Sequence, residues 1–296
     1  MATPTHLSAT SIRPPRRWNL LAAAAAILAL AFAVVPGQPA HAAASASTTG
    51  VPSGTSLTTV YGDIRVTTAG TVISGKDIHG RVIIKAANVT IKNSIVRGTD
   101  AGGKYGLVDN MGNYSGLKVI DTEIVATKPN WTVNGIMGSN FSLQRVEIHN
   151  TVDQVSITGS NVSITDSWLH GSLWYSYDAD HSDGSHNDNI EITGGSNIAL
   201  SGNTFADADN AALMVTQDRA KVSNLTVSGN RISGGDCSIN VSEKGKGAIL
   251  GFSVKSNTFA ADTTIKHCAI VAPTTTKISL SGNTFLDGFL VSVLKG

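Results

Sequence analysis

Eight octets along the chain share one alternation of apolar and polar positions. Each alternates for three or four residues, bends at a residue such as Asn, Asp, Gly or Ser, and resumes with an apolar residue, as a strand does when it turns a corner. The octets begin at Val89, Leu117, Phe141, Val162, Ile198, Leu225, Phe252 and Ile278. Successive starts are separated by 28, 24, 21, 36, 27, 27 and 26 residues.

A second set of short apolar segments fills the intervals. These segments begin at Gly106, Gly135, Gln154, Asn189, Ala211, Ser238 and Ala269. Two or more strands in each unit of 21 to 28 residues cannot bury their apolar faces alone, whereas coils stacked about 4.8 Å apart can. The pattern therefore predicts an all-β fold, a single-stranded right-handed parallel β-helix of roughly eight to ten coils.

The first 42 residues have the pattern of an export signal. Arg13, Arg16 and Arg17 precede an apolar run from Leu20 to Val35, and the small residues of PAHA follow it. We expect residues 1–42 to be removed, residues 43–56 to form a flexible segment, and residues 57–296 to form the β-helix. The signal is of bacterial type, through either the general or the twin-arginine route, which predicts a secreted protein with no membrane span after processing.

The net charge of the processed chain bears on its possible partners. Removal of the signal leaves nineteen basic against twenty-one acidic residues, which gives no electrostatic reason to expect a nucleic-acid partner.

Cys237 and Cys268 occupy matching positions of neighbouring coils, and an exported protein meets oxidising conditions, so we expect a disulfide between them. Asn203, Asn230 and the equivalent Asn257 and Asn283 are expected to form a stacked amide ladder inside the coil.

One interval is longer than the others. The 36-residue step between the octets at Val162 and Ile198 contains an insertion at about residues 170–188, with the sequence YSYDADHSDGSHND near its end. Long loops on a regular solenoid commonly carry function. The register of the segments predicts that Pro129–Trp131, His149–Asp153, the insertion and 206–210 emerge at one corner of the coil.

The composition of this corner is typical of a sugar site. All three tryptophans that remain after signal removal lie between 131 and 174, and residues 146–218 contain eleven acidic residues and no Lys or Arg. Aromatic rings stack on sugar faces, while carboxylates bond hydroxyls and move protons. The expected substrate-binding residues are Trp131, Trp168, Trp174, Tyr175, Tyr177, His149, Asp153 and Asn210. The expected catalytic residues are Asp183, His186, Asp188, Asp207, Asp209 and His181.

The coil pattern over residues 57–290 resembles the pectate-lyase-like superfamily of right-handed parallel β-helix proteins. The segments GVPSGTSLTTVYGDIRVTTAGTVISGKDIHGRVIIKAANVTIKNSIVRG and NAALMVTQD resemble an uncharacterised group of secreted actinobacterial β-helix proteins. The superfamily resemblance implies a carbohydrate-active protein, commonly a lyase, hydrolase or epimerase acting on extracellular polysaccharides. It does not fix the reaction.

Three functions remain open on these residues. We favour a glycoside-hydrolase-like enzyme with no required cofactor, in which Asp183 or Asp188 pairs with Asp207 or Asp209. For that pairing we expect the strand to bend before Asp188, so that its carboxylate faces a cleft at the rim.

A lyase or epimerase assisted by Ca²⁺ is the first alternative, with Asp178 and Asp180 as metal ligands, because an acidic corner needs a cation to hold a polyuronate. A glycan-binding or surface protein without catalysis is the second alternative. In every case we expect a monomer with a polysaccharide partner.

Overall fold

The chain folds into three parallel β-sheets that run along one solenoid. The computed structural model describes residues 43–99 and 103–296, and these contain strands but no α-helix. Sheets A and B have ten strands each and sheet C has nine. Successive strands belong to A, then B, then C, and every strand except those at the ends of the sheets pairs with strands of the coils above and below. The predicted parallel β-helix is confirmed.

The strands of sheet A are β1 (Thr58–Tyr61), β4 (Lys76–His79), β7 (Ile95–Val96), β10 (Glu123–Val125), β13 (Glu147–His149), β16 (Trp168–Leu169), β19 (Thr204–Phe205), β22 (Arg231–Ile232), β25 (Thr258–Phe259) and β28 (Thr284–Phe285). Those of sheet B are β2 (Ile64–Val66), β5 (Val82–Ile84), β8 (Tyr105–Asn110), β11 (Val133–Gly138), β14 (Val155–Ile157), β17 (Asp188–Ile192), β20 (Ala211–Thr216), β23 (Ile239–Ser242), β26 (Ile270–Ala272) and β29 (Val293–Lys295). Those of sheet C are β3 (Val72–Ser74), β6 (Thr90–Lys92), β9 (Leu117–Ile120), β12 (Phe141–Gln144), β15 (Val162–Thr165), β18 (Gly195–Ser201), β21 (Val222–Ser228), β24 (Leu250–Lys255) and β27 (Ile278–Ser281).

The core is a set of apolar columns inside the coils. Each octet of the sequence covers a sheet C strand, a corner and a sheet A strand, so the alternation places one side chain of every coil at the same inward position. In sheet A this buried column consists of Ile78, Val96, Ile124, Ile148, Leu169, Phe205, Ile232, Phe259 and Phe285. Stacking of the coils therefore buries the side chains that a single coil would leave exposed.

An amide ladder runs inside the corner between sheets C and A. The backbone N–H of Asn203 donates to Oδ1 of Asn230 over 2.9 Å, and the N–H of Asn230 donates to Oδ1 of Asn257 over 2.9 Å. Asn257 continues the ladder to Asn283 over 3.0 Å. The side-chain amide of Asn230 also donates to the carbonyl of Leu200. The predicted ladder is confirmed, and it satisfies backbone groups that the turn would otherwise leave unpaired.

A second, exposed ladder lies at the corner between sheets B and C. Asn161 donates from Nδ2 to Oδ1 of Asn140 over 3.0 Å, and Asn197 donates in the same way to Asn161 over 3.3 Å. All three adopt positive φ angles, between 56° and 60°. Asn tolerates this left-handed conformation better than most residues, so asparagine at these corners has a backbone role.

A disulfide links two neighbouring coils. Cys237 and Cys268 are bonded, with their Cα atoms 4.7 Å apart and a sequence separation of 31. Both cysteines are buried. The expected disulfide is confirmed, and it joins the turn before β23 to the turn before β26.

Residues 43–56 lie before the first coil. The N–H of Gly50 donates to the carbonyl of Arg145 over 3.0 Å, and Ala44 and Thr49 are buried. Gly50 has a φ of +73°, and a Cβ there would lie 2.9 Å from a carboxylate oxygen of Glu147, so this close approach requires glycine. The expected export signal lies outside the described residues, and the domain boundaries stay predictions. Among the described residues, no helix is long and apolar enough to cross a membrane.

Candidate functional site at the A–B corner

The A–B corner is the turn that connects each sheet A strand to the next sheet B strand. Residues 170–187, here called the insertion, connect β16 to β17, whereas 150–154 and 206–210 make the same connection in the flanking coils. Residues 126–132 make it one coil earlier, and the rings of Trp131 and Tyr177 meet edge to face at 5.6 Å. The register expected from the sequence therefore brings these four segments to one side of the solenoid.

A ladder of polar side chains lies at this corner. The N–H of Asp153 donates to Oδ1 of Asn134 over 3.4 Å, and the N–H of Asp188 donates to Oδ1 of Asp153 over 3.2 Å. Asp188 in turn accepts a bond from Nδ2 of Asn210 over 2.8 Å. Asp153 is 4% exposed and Asp188 is 3% exposed. Two carboxyl groups on adjacent coils are thus enclosed within one hydrogen-bonded stack.

Burial raises the pKa of three acids, here called the acid cluster: Asp153, Asp188 and Glu191. Burial, followed by the charge of Glu191, raises the pKa of Asp153 to about 8. Burial, followed by the charges of Asp153 and Glu191, raises the pKa of Asp188 well above its usual value. Burial also raises the pKa of Glu191. Like charges in a desolvated site disfavour one another, so the cluster retains at least one proton at neutral pH.

Basic side chains reach the acid cluster from outside residues 146–218. The charge of Lys104 lowers the pKa of both Asp153 and Glu191, and its Nζ lies 4.0 Å from a carboxylate oxygen of Asp180. Arg219 also lowers the pKa of Glu191. Sequence reasoning missed Lys104 because it lies just before β8, two coils before Asp153. It missed Glu191 as a site residue, although the alternation in NIEI places this side chain on the outer face.

The insertion forms a loop that is closed by hydrogen bonds between two of its own residues, Tyr175 and Ser185. The N–H of Ser185 donates to the carbonyl of Tyr175, and Oγ of Ser185 accepts from the N–H of Tyr175 over 2.7 Å. Burial raises the pKa of Tyr175. The rings of His181 and His186 stack inside this loop at 4.0 Å. Trp174 and Tyr177 are exposed, so two aromatic side chains of the insertion face solvent.

Each histidine of the insertion is paired with a nearby aspartate. His181 Nδ1 lies 3.0 Å from Asp178, and His186 Nε2 lies 3.2 Å from Asp183. Although burial opposes it, hydrogen bonds from His181 and from the N–H of Asp180 hold the pKa of Asp178 below its usual value. Bonds from its own N–H and then from His186 lower the pKa of Asp183. These acids are therefore ionised at neutral pH, in contrast to the acid cluster.

Two of the expected substrate-binding residues lie on the outer face of sheet A. Leu169 points into the core, so its neighbours Trp168 and His170 point outward. Trp168 stacks on His170 at 3.6 Å, and His149 stacks on the other side of His170 at 5.0 Å. Trp168 and His149 thus both contact His170, and their role in substrate binding stays a prediction.

Asp207 and Asp209 lie in the turn that follows β19. Both are exposed, and Oδ2 of Asp209 accepts from Nδ2 of Asn187 over 3.1 Å. The charges that raise the pKa of Asp188 belong to Asp153 and Glu191. The structure therefore favours Asp153, rather than either turn residue, as the carboxyl partner of Asp188.

One local expectation was wrong. The strand does not bend before Asp188, because β17 begins at this residue and the carboxyl group is buried. Asn189, the next residue, is also buried. Its Nδ2 donates to Oε1 of Gln154 over 2.9 Å and to the carbonyl of Ala206 over 2.8 Å. The hydrogen-bonded stack reduces the cost of burying these polar groups, which the sequence argument had taken as prohibitive.

Several buried polar atoms at the corner have no hydrogen-bond partner among the described residues. They are Nδ2 of Asn134, Nε2 of Gln154, and Oδ1 of Asn187 and Asn189. Within residues 43–99 and 103–296, no group of three or more His, Cys, Asp or Glu is arranged to hold a metal ion. Asp178 and Asp180, the expected metal ligands, are bonded to His181 and near Lys104 respectively.

No protein-family model, curated protein or solved structure shows a significant match to this chain. Membership of the pectate-lyase-like superfamily is therefore part of the proposal below.

Proposed function

We propose that this protein is a secreted carbohydrate-active enzyme that cleaves an extracellular polysaccharide with a glycoside-hydrolase-like carboxylate mechanism. One observation carries the proposal. Asp153 and Asp188 stack on adjacent coils, where burial and the nearby Glu191 raise the pKa of both. A carboxyl group that stays protonated at neutral pH beside a second carboxylate is what acid-catalysed cleavage of a glycosidic bond requires.

We assign a different role in proton transfer to each acid of the cluster. Asp153 and Asp188 share one proton, and Asp188 donates it to the glycosidic oxygen as the bond to the anomeric carbon breaks. Glu191 accepts a proton from the water that attacks the anomeric carbon. The charge of Glu191 raises the pKa of both Asp153 and Asp188, so its carboxylate lies within electrostatic range of the acid. Proton exchange with solvent then restores the starting state.

The acids of the cluster differ in their exposure to solvent, and so in their accessibility to a substrate. Glu191 is partly exposed, whereas Asp188 is only 3% exposed. A glycan therefore reaches Asp188 only if the surrounding chain moves. The insertion is the element that we propose moves, because its Asp178 lies within electrostatic range of Asp153 and its Trp174 and Tyr177 are free to stack on sugar rings.

Secretion is supported by two features of the chain. The disulfide between Cys237 and Cys268 is compatible with an oxidising extracellular environment. The sequence pattern of residues 1–42 is that of a bacterial export signal. Both features agree with a polysaccharide substrate outside the cell.

A polysaccharide lyase or epimerase is the second candidate, and the position of Lys104 favours it. Enzymes of this kind in the resembling superfamily use a basic side chain to remove a proton next to a uronate carboxylate, with Ca²⁺ between the substrate and aspartates. Lys104 is a basic side chain placed for this role, because its Nζ lies 4.0 Å from Asp180 and its charge lowers the pKa of both Asp153 and Glu191. In this candidate, Lys104 first loses its own proton to solvent and then takes up the substrate proton as the bond to the leaving oxygen breaks and a carbon–carbon double bond forms. Asp178 and Asp180 would hold a Ca²⁺ ion, which would supply positive charge for the uronate carboxylate.

A panel of neutral and uronic-acid polysaccharides distinguishes these functions. The purified protein is incubated with each glycan, with and without a chelator, and both reducing ends and the absorbance of unsaturated products are followed. Reducing ends from a neutral glycan, unaffected by the chelator, support the hydrolase. Unsaturated products that the chelator abolishes support the lyase. Binding through Trp174 without any product would instead indicate a glycan-binding protein.

A further inference from the structure

The side chain of Asn210 holds the carboxyl group of Asp188 from the next coil. Its Nδ2 donates to Oδ1 of Asp188 over 2.8 Å. Asp188 is buried, whereas Asn210 is partly exposed. In a protonated carboxyl group the hydroxyl oxygen donates, and the carbonyl oxygen is the better acceptor. The bond therefore favours Oδ1 as the carbonyl oxygen of Asp188 and Oδ2 as the oxygen that carries the proton.

The backbone of Asn210 is held by the coils on both sides of it. Its N–H donates to the carbonyl of Asn187 in the coil before, over 3.3 Å. Its carbonyl accepts from the N–H of Asp236 in the coil after, over 3.0 Å. The main chain from which the amide of Asn210 extends is therefore fixed from two directions.

Close packing joins the turn of Asn210 to the turn of the following coil. The N–H of Gly235 donates to the carbonyl of Ala208 over 2.7 Å, and Gly235 forms an antiparallel bridge with Ala211. Gly235 has a φ of +87°, and a Cβ there would lie 2.9 Å from the Cα of Ala211, so this approach requires glycine. The supporting turn thus contacts the chain just before and just after Asn210.

The disulfide anchors this supporting turn. Cys237 follows Asp236 directly and is bonded to Cys268. Ile265, three residues before Cys268, donates from its N–H to the carbonyl of Asp236 over 3.0 Å. The support for Asn210 therefore continues through the disulfide into a further coil.

We infer that Asn210 is a positioning residue for Asp188, a role that rests on the proposed function. Its amide keeps Oδ2 of Asp188, the oxygen that gives its proton to the glycosidic oxygen, in one orientation. After proton transfer the same bond is charge-assisted and stabilises the carboxylate that remains. Asn210 therefore acts through Asp188 in both of its protonation states, without a contact to the sugar.

The variant Asn210→Ala tests this role with two readouts. In a ¹³C NMR titration of the side-chain carboxyls, with Asp188→Asn to assign the signal, the midpoint of Asp188 should move up by about one pH unit. The reason is that the lost bond favours the ionised carboxylate. On a polysaccharide that the unmodified protein cleaves, kcat should fall at least about 10-fold with KM unchanged, and the alkaline limb of the pH–rate profile should move up with the midpoint.

The control is Asn224→Gly, at an exposed corner where glycine accepts the positive φ. It should change neither the midpoint nor the rate. If circular dichroism shows that Asn210→Ala does not fold, Asn210→Leu, which has about the volume of asparagine, replaces it with the same expectations.

Three outcomes would overturn the inference. An unchanged or lower midpoint of Asp188 in the Asn210 variant would show that the amide does not hold this carboxylate. A higher KM with unchanged kcat would show that Asn210 contacts the substrate instead. An unmodified protein that cleaves no polysaccharide would overturn the proposed function and this role with it, and it is distinguished from the first two outcomes because it does not depend on the variant.

Discussion

The backbone N–H of Asp188 donates to the carboxyl oxygen of Asp153 over 3.2 Å, so that two acids on adjacent coils lie in one buried stack. The repeat of the β-helix brings these residues together although 35 positions separate them. Among the described residues, no cation is hydrogen-bonded to either acid. Burial and the charge of Glu191 raise the pKa of both, and the charge of Asp153 raises that of Asp188 further. The stack therefore stores a proton at a pH where ordinary aspartates have lost theirs.

Stability should fall as the pH rises from about 4 to about 8. The folded protein keeps the proton of Asp153 up to its pKa of about 8, whereas the unfolded chain loses it near the usual value of about 3.9. The folded state therefore binds more protons in this window, and its free energy of unfolding decreases by up to about 1.4 kcal/mol per pH unit. Urea unfolding at pH 5, 7 and 9 measures this dependence.

Asp153→Asn should flatten this pH dependence, because the amide keeps the shape of the side chain without a titrating proton. Asp209→Asn, at an exposed position two coils further on, is the matched control and should retain the dependence of the unmodified protein. Equal slopes for the protein and for Asp153→Asn would show that Asp153 is not the buried acid.

Asn230→Ala should destabilise the protein by about 2 to 4 kcal/mol. The substitution leaves the N–H of Asn203 and the carbonyl of Leu200 buried without partners, and each such group costs about 1 to 3 kcal/mol. Asn197→Gly removes a member of the exposed ladder, whose groups water can satisfy, and glycine accepts the left-handed backbone conformation at this position, so the substitution should cost less than about 1 kcal/mol. Urea unfolding of both variants at one pH gives the comparison, and equal losses would contradict the role assigned to the internal ladder.

The repeat was readable from the sequence because its physical cause is periodic. Every coil must place an apolar residue at the same inward position, so the octets and the positions of Cys237 and Cys268 revealed both the fold and the disulfide. The same register brought the four segments of the A–B corner together.

Only part of the acid cluster could be predicted from the sequence. Asp153 and Asp188 were singled out, but their pairing depends on hydrogen bonds at the start of β17, where the alternation gives no information. Lys104 lies outside the acidic stretch, so its proximity to Asp180 follows from the path of the insertion across earlier coils. The conformation of an 18-residue loop, 170–187, is not set by any repeat.

Loss of the disulfide should lower the free energy of unfolding by about 3 to 4 kcal/mol, as the loop-entropy relation gives for the 31-residue separation of Cys237 and Cys268. The double variant Cys237→Ser/Cys268→Ser, compared with the unreduced protein by urea unfolding, measures the difference. The unreduced protein should also show no titratable thiol after denaturation. Two free thiols would contradict the bond.

Lys104→Met should raise the pKa of Glu191, because the positive charge of Lys104 favours the ionised carboxylate. A ¹³C NMR titration of the glutamate side-chain carboxyls, with Glu191→Gln to assign the signal, gives the midpoint directly. Lys118→Met, an exposed position on sheet C, is the control and should leave it in place. An unchanged or lower midpoint in Lys104→Met would show that Lys104 does not act on Glu191.

The release of reducing ends by Asp188→Asn and Glu191→Gln tests the role of the acid cluster most directly, on whichever polysaccharide of the panel the unmodified protein cleaves. Both variants should lose at least about 100-fold in rate, as expected for removal of a general acid or base, while Asp209→Asn keeps nearly full activity and all three retain the β-sheet circular dichroism. Full activity in both Asp188→Asn and Glu191→Gln, or no product from any polysaccharide with the unmodified protein, would contradict a catalytic acid cluster.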